Sequence, residues 1–535
     1  MHGPEKSDSP IVPTKPANKA RRLAAEPVEG RGGAVGNAGL QSTVRTQSRV
    51  AVSQAQTRIR EAVGRNNQEK LTALLHHITI EVLRAAFFAL KRRAAPGIDA
   101  VTWDIYEDGR EENLRDLHRR VHAGAYRALP SRRTYIPKAD GRQRPLGIAA
   151  IEDKIVQAAV VMILTPIYEA EFLGFSYGFR PGRSQHDALD ALAYGIKGRS
   201  IRWVLDADIR SFFDTISHSW LVRFLEHRIG DRRIIRLVQK WLKAGVLDQG
   251  LHIATEEGTP QGAVISPLLA NIDLHYAYDL WVEAWRRRRA TGDMIVVRYA
   301  DDTIVGFQRR GDATRFLDDL KERLARFALD LHPDKTRLVA FGKVVADERR
   351  ARGQGRPETF DFLGFTHICG VKRSKDGKSR NSFQLLRRTR RQRKWATIRA
   401  IKMELQRIRH DPIDEQGRRL AGMLEGHYAY FAVPTNIDAV RAVRHHAKVR
   451  WYLSLRRRSQ RRRLTWRRMN VIVEKFLPQP RSFIRGPSSA FSSNTGGRSR
   501  MPELGASGSV RGAAGNGRPY RDRNPVRTWR PEVAG

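Results

Sequence analysis

At 535 residues the chain is too long for one hydrophobic core, which predicts two to four domains. Its 98 Lys plus Arg against 56 Asp plus Glu give a formal net charge of +42, spread over most of the chain, and predict nucleic acid as the polyanionic partner. The single cysteine, Cys369, excludes an intramolecular disulfide and a multi-cysteine zinc site.

Met1–Ala20 is polar and lacks the apolar core of a signal peptide. No long apolar segment points to a membrane, so a cytoplasmic location is expected. Met1 to about Gln56 is rich in Gly, Ala, Pro, Ser and charge. It reads as a disordered basic extension, drawn here to residue 65. A helical pattern runs over Leu71–Leu90, and the turn segment APGID follows at Ala94–Asp99. Tyr135–Ile148 (YIPKADGRQRPLGI) predicts a β-hairpin with its turn at Asp140-Gly141 and Lys138, Arg142 and Arg144 on its arms; a lone basic hairpin is usually a solvated edge. Ile151–Leu164 has few charges and reads as a buried helix. Phe175–Ser184 (FSYGFRPGRS) is an aromatic, glycine-rich loop.

Ile201–Phe213 (IRWVLDADIRSFF) is rich in strand formers, and its alternation puts Asp206 and Asp208 on one face. Helical patterns cover Trp220–Ala244. Gly258-Thr259-Pro260-Gln261-Gly262 then forms a rigid turn opening into a helix from Ser266 to Arg289. Met294–Phe307 (MIVVRYADDTIVGF) reads as two strands with Ala300–Asp302 at the turn. A helix near Ala313–Phe327, a turn and strand at Leu331–Phe341 and an aromatic strand at Phe360–Phe365 follow. Beyond Leu385 the chain is basic and helical. Ile398, Ile401, Leu405 and Ile408 form one stripe, and a second helical region spans Ile437–Phe476 with the clusters Arg456–Arg458 and Arg461–Arg463. After Pro478 a Gly/Ser/Pro/Arg-rich tail is expected to be disordered.

Paired carboxylates at a hairpin tip make a hard-oxygen site suited to Mg²⁺. Taken alone, the stretch reads first as an ordinary solvated Asp-Asp turn, which local hydrogen bonding favours. Asp208 supplies a second acidic strand. Nucleotidyl transfer uses two hard cations about 3.5–4 Å apart, and carboxylates from separate strands can bridge them. Such chemistry also needs cations for a triphosphate, and Lys138 and Arg144 are available.

Tyr299-Ala300-Asp301-Asp302 resembles the YxDD signature of reverse transcriptases. The ordered set APGIDAVT, YIPKADGRQRPLGI, SYGFRPGRS, DADIRSFFDTI, GTPQGAVISPLLANI, RYADD, LHPDKTRL and FDFLGF is similar to group II intron-encoded reverse transcriptase/maturases. It spans about Ala94–Phe365, with a maturase-like helical region to about Pro480.

The resemblance implies an α+β right-hand polymerase followed by an all-α thumb/maturase domain. An N-terminal extension and fingers would occupy residues 66–205, a palm with an antiparallel sheet 206–370, and the thumb 385–480. Asp208, Asp301 and Asp302 match the catalytic carboxylates, which with the Ile209 carbonyl would hold two Mg²⁺ ions. Asp206 falls in a supporting position. Nucleotide contacts fall on Lys138, Arg144, Arg210, Ser211, Phe212, Phe213, Gln261 and Lys335. Phe213 stands where the family has a steric gate against a ribose 2′-hydroxyl, Gln261 lies over the incoming nucleotide, and Lys335 is a candidate proton donor to pyrophosphate. Gly426–Phe431 resembles an aromatic core motif of the thumb.

The implied activity is RNA-directed DNA synthesis with assistance to intron splicing and mobility. Implied partners are the intron RNA, an RNA template with a DNA primer, dNTPs and target DNA, in a bacterial cytoplasm or nucleoid. Many relatives end in an H-N-H endonuclease with cysteine pairs. One cysteine and a Gly/Ser/Arg-rich end make that module an expected absence, and primers would come from another route. A splicing-only maturase and another bacterial reverse transcriptase (retron, diversity-generating or phage-defence type) are the alternatives.

Overall fold

The computed structural model describes residues 37–65, 69–137, 143–259, 261–372, 382–458 and 464–481. The expected disorder of residues 1–36 and 482–535, the turn Asp140-Gly141, Lys138 and Arg461–Arg463 lie outside the described residues. Asn37–Arg65, expected to be part of the disordered extension, is instead an α-helix. Ala55, Ile59 and Val63 recur every four residues, are buried, and form a narrow apolar stripe. The stripe packs on the helices Ile80–Ala89 and Ile151–Glu169, and Gln56 Nε2 donates to the Met162 carbonyl at 3.1 Å. Three small or medium apolar residues among Arg, Ser and Gln give too weak a period to stand out in sequence.

Two other boundaries moved. The helical pattern at Leu71–Leu90 becomes a 3₁₀ turn at Leu75–His77 and a helix only from Ile80, because Thr79 caps it by accepting from the Val82 amide. The aromatic strand Phe360–Phe365 is broken at Leu363 and Gly364, whose φ values of 47° and 78° reverse the chain. Phe360–Phe362 therefore folds back antiparallel on Phe365–Lys372, which also pairs with Ser382–Thr389.

Two four-stranded sheets complete the β structure among the described residues. One runs Gln143–Ile148, Ser131–Pro137, Val246–Asp248, Leu251–Ile253, with the middle pair parallel. The other is fully antiparallel, in the order Met294–Tyr299, Asp302–Phe307, Trp203–Asp208, Arg337–Ala340. Its two faces are read directly from the period of two. Leu205, Ala207, Val296, Val305 and Phe307 face a core shared with Trp285, Phe316 and Leu320. Val204, Ile295, Val297, Ile304 and Val339 face the opposite core, with Leu189, Leu192, Phe360 and Phe365. Asp206 and Asp208 follow Val204 at steps of two, so they continue this second face toward the strand end.

The C-terminal part is helical: Arg391–Arg407, Ile413–Phe431, Ile437–Arg456 and Trp466–Phe476. The predicted stripe holds, since Ile398, Ile401, Leu405 and Ile408 are all buried. Ile401 and Leu405 join Leu420, Leu424 and Trp451 in a separate core. The chain is thus mixed α/β with largely antiparallel sheets and a helical C-terminal region. Among the described residues no helix is long and apolar enough to cross a membrane.

Candidate active site

Asp208 closes the strand Trp203–Asp208 and stands directly opposite Asp302 in the antiparallel ladder. Cross-strand partners share a face and lie about 5 Å apart at their Cα atoms. Asp301 precedes Asp302 in the tight turn. Burial pushes the Asp302 carboxyl up to about 7, with Asp301, Asp208 and Asp206 adding repulsion. Burial likewise raises Asp301, and the Asp208 charge adds to it. Asp206 is pushed up to about 7 by burial, against the pull of Arg337. These are acidic groups gathered into a half-buried site with too little positive charge among them, which is what divalent cations relieve.

The donor set fits hard cations. It is all carboxylate oxygen, and the next residue along from Asp208, Ile209, bridges to Leu331 through its neighbours' atoms: the Arg210 amide donates to the Asp330 carbonyl and the His332 amide to that of Asp208, both at 2.8 Å. Among the described residues no three acidic, histidine or cysteine side chains stand as a ready-made ligand shell. Asp208 carries a local cation instead: Lys335 Nζ lies 2.6 Å from its Oδ2.

The turn is held from behind by a residue the sequence reading passed over. Arg298 is 0% exposed. Its Nε and Nη2 donate to Asp279 at 2.7 and 2.5 Å. Its Nη1 donates to Asn271 Oδ1 at 3.1 Å and to the Ala300 carbonyl at 2.9 Å, and Nη2 also reaches Ser176 Oγ at 2.8 Å. A guanidinium in the middle of an apolar strand, MIVVRY, was the available signal, since a buried cation needs a full set of acceptors. Ala300 itself is left-handed, with φ 56°. Gly178 packs so close that an added Cβ would stand 2.2 Å from the Ala300 nitrogen.

Next to the carboxylates, two predicted nucleotide residues meet. Arg144 Nε donates to Gln261 Oε1 at 2.8 Å. Gln261 Nε2 donates to Asp214 Oδ1 at 3.0 Å, an anchor not foreseen in the sequence. The Gly147 amide donates to the Gln261 carbonyl at 2.7 Å, and Gly262 (φ 109°) leaves 3.0 Å between a hypothetical Cβ and the Gly147 oxygen. The Thr259 amide donates to the Phe213 carbonyl at 2.8 Å, tying this turn to the half-buried Phe213. Arg210 and Ser211 are exposed, Ser211 with φ 49°. Phe212 is 2% exposed and lies in the core, so its main chain is the part open to a nucleotide. A surface cavity of about 260 Å³ lined by Trp281, Trp285, Arg288 and Arg323 belongs to the helices behind the other face of the sheet. It takes no part in this site.

Carboxylates from a strand and an adjoining turn, converging on one face of an antiparallel sheet in so basic a chain, define a nucleic-acid polymerase class of site. A family model described as reverse transcriptase (RNA-dependent DNA polymerase) matches residues 136–367. Protein YkfC of Escherichia coli (strain K12) is 39% identical over 57% of this chain and 90% of that protein. The group II intron-encoded protein LtrA of Lactococcus lactis subsp. cremoris is 36% identical over 41% of this chain, which spans only 37% of its length. Nuclear intron maturase 1, mitochondrial, of Arabidopsis thaliana is 29% identical over 17% of this chain and 13% of its own. The chain belongs to the reverse transcriptase family, in its group II intron branch.

Proposed function

We propose that this protein is an RNA-directed DNA polymerase of a group II intron that also assists splicing and mobility of that intron. The observation that carries the reading is the pairing of Asp208 with Asp302 across one ladder, with Asp301 adjacent. Asp208, Asp301, Asp302 and the Ile209 carbonyl would hold two Mg²⁺ ions, which when bound activate a primer 3′-hydroxyl and neutralise the leaving pyrophosphate.

The chain's own residues do the positioning. Arg144, with Lys138, grips the triphosphate, and the bond from Arg144 fixes the Gln261 amide over the nucleotide. Phe213 bars a 2′-hydroxyl from the sugar pocket. Lys335, once released from Asp208, reaches the pyrophosphate as a proton donor. In this reading residues 66–205 are the N-terminal extension and fingers, 206–370 the palm and 385–480 the thumb. The helical region after Leu385 binds intron RNA through its arginines, a salt-dependent contact. Template RNA with a DNA primer, dNTPs and target DNA are the partners, in a bacterial cytoplasm or nucleoid.

Purified protein with poly(rA)/oligo(dT), Mg²⁺ and dTTP extends the primer, and Asp301→Ala abolishes extension. Splicing of the cognate intron at low Mg²⁺ survives Asp301→Ala but not deletion of the region after Leu385. A wild-type protein that promotes splicing yet never extends a primer would be a splicing factor only.

A further inference from the structure

Phe179 sits where an aromatic ring is doubly unfavourable. Its backbone is in the left-handed region, φ 59°, which a bulky side chain adopts only when the surroundings impose it. Its ring is 54% exposed.

The imposing contacts can be named. Before it, Gly178 is pressed against the Ala300 nitrogen, and its carbonyl accepts from Asn271 Nδ2 at 2.7 Å. After it, the buried Arg180 spreads beneath the loop. That guanidinium donates to the Leu173 and Ser176 carbonyls at 2.7 and 2.9 Å and pairs with Glu169 at 3.0 Å. Arg183 adds bonds to the Gly174 and Ser176 carbonyls at 2.5 and 3.0 Å. The loop is therefore fixed from below and the ring is held outward. It lies beside Tyr299, ring centroids 6.4 Å apart, and Tyr299 is the cross-strand neighbour of Asp302. A core has no use for a strained, solvent-facing ring, whereas a binding surface does.

We propose that Phe179 is a nucleic-acid contact, its ring packing on a base or sugar of the RNA–DNA hybrid strand that passes over the Tyr299–Asp302 turn. The contact is indifferent to sequence, because every base offers a π-face. It holds the strand end in register with the carboxylates. This inference rests on the polymerase reading, so it is tested by binding rather than turnover.

Anisotropy of a labelled RNA–DNA hybrid with a recessed primer end, without dNTPs, compares the full chain with Phe179→Gly, Phe179→Ala and Phe179→Trp. Glycine adopts this φ freely, so Phe179→Gly melts at or above the wild-type temperature while binding the hybrid about tenfold more weakly. Phe179→Ala weakens binding similarly, and Phe179→Trp retains it. A glycine variant that binds like wild type overturns the proposal. So does one whose melting temperature falls together with its affinity, or a tryptophan variant that binds no better than alanine. Failure of wild type to extend primers would sink the polymerase reading and leave this comparison standing.

Discussion

The Lys335 ammonium rests 2.6 Å from Oδ2 of Asp208, although the two residues are 127 positions apart in the chain. One charge of the acidic site is thereby neutralised by the protein itself, in a partly exposed pair. A divalent ion that takes Oδ2 of Asp208 displaces that ammonium, and in the proposed mechanism the displaced lysine then meets the pyrophosphate.

Lys335→Met therefore lowers the Mg²⁺ concentration for half-maximal extension, by about two- to fivefold for a pair this exposed. With Lys335 in its proposed role as proton donor, the substitution also slows incorporation. A Mg²⁺ titration of primer extension reads both effects. An increased Mg²⁺ requirement would contradict the displacement.

Arg298 and Asp279 are both fully buried and joined by two hydrogen bonds. Arg298→Met strands a buried carboxylate and costs about 3–5 kcal/mol, measured by urea unfolding. Adding Asp279→Leu recovers most of that stability, since a buried pair is replaceable by apolar packing. Extension stays impaired in the double variant, because the Ala300 carbonyl still lacks its donor. Full recovery of extension would show that the turn needs no support from behind.

What could be read from the sequence was local. Alternation in WVLDAD puts Asp206 with Asp208 on one face, the β-branched run of MIVVRY marks a second strand, and both hold in the ladder. The site's supports could not be read that way. Arg298 meets Asp279 and Ser176, Gln261 meets Asp214, and Lys335 meets Asp208 only after distant segments pack. The helix Asn37–Arg65 is hard to read because Ala55, Ile59 and Val63, with Val52 beside them, form only a thin apolar stripe, and a tertiary surface rather than propensity stabilises it. The turn at Leu363-Gly364 was hidden because a non-glycine residue takes positive φ there.

Asp153 gives the fold a pH dependence away from the carboxylates of the candidate site. Burial pushes it up to about 6, against the hydroxyl donated by Tyr126 and the Leu129 amide. The folded value exceeds the unfolded one of about 3.9, so its contribution is fully present below pH 4 and is lost as pH rises through 6. Over that window the unfolding free energy of wild type declines relative to Asp153→Asn, by about 2–3 kcal/mol in total. Denaturant melts of both proteins at pH 4.0 to 7.5 measure the difference, and parallel pH profiles would refute it.

Phe213 has its ring edge-on to the buried Phe212, 5.5 Å between centroids, and its carbonyl tied to Thr259. In the proposed role this ring excludes a ribose 2′-hydroxyl. Phe213→Val raises ribonucleotide incorporation relative to deoxyribonucleotide by about tenfold or more. Unchanged discrimination in single-nucleotide kinetics would remove the ring from that role.

Polymerase chemistry at this site requires that the carboxyl groups of two strands jointly hold divalent ions. Electron paramagnetic resonance of Mn²⁺ added to the full chain, with hybrid and a non-hydrolysable dNTP analogue, tests this directly. Two bound, mutually coupled ions are expected, with coupling lost in both Asp208→Ala and Asp301→Ala. A coupled pair that survives either substitution, or a wild-type protein that binds no Mn²⁺ under these conditions, would contradict it.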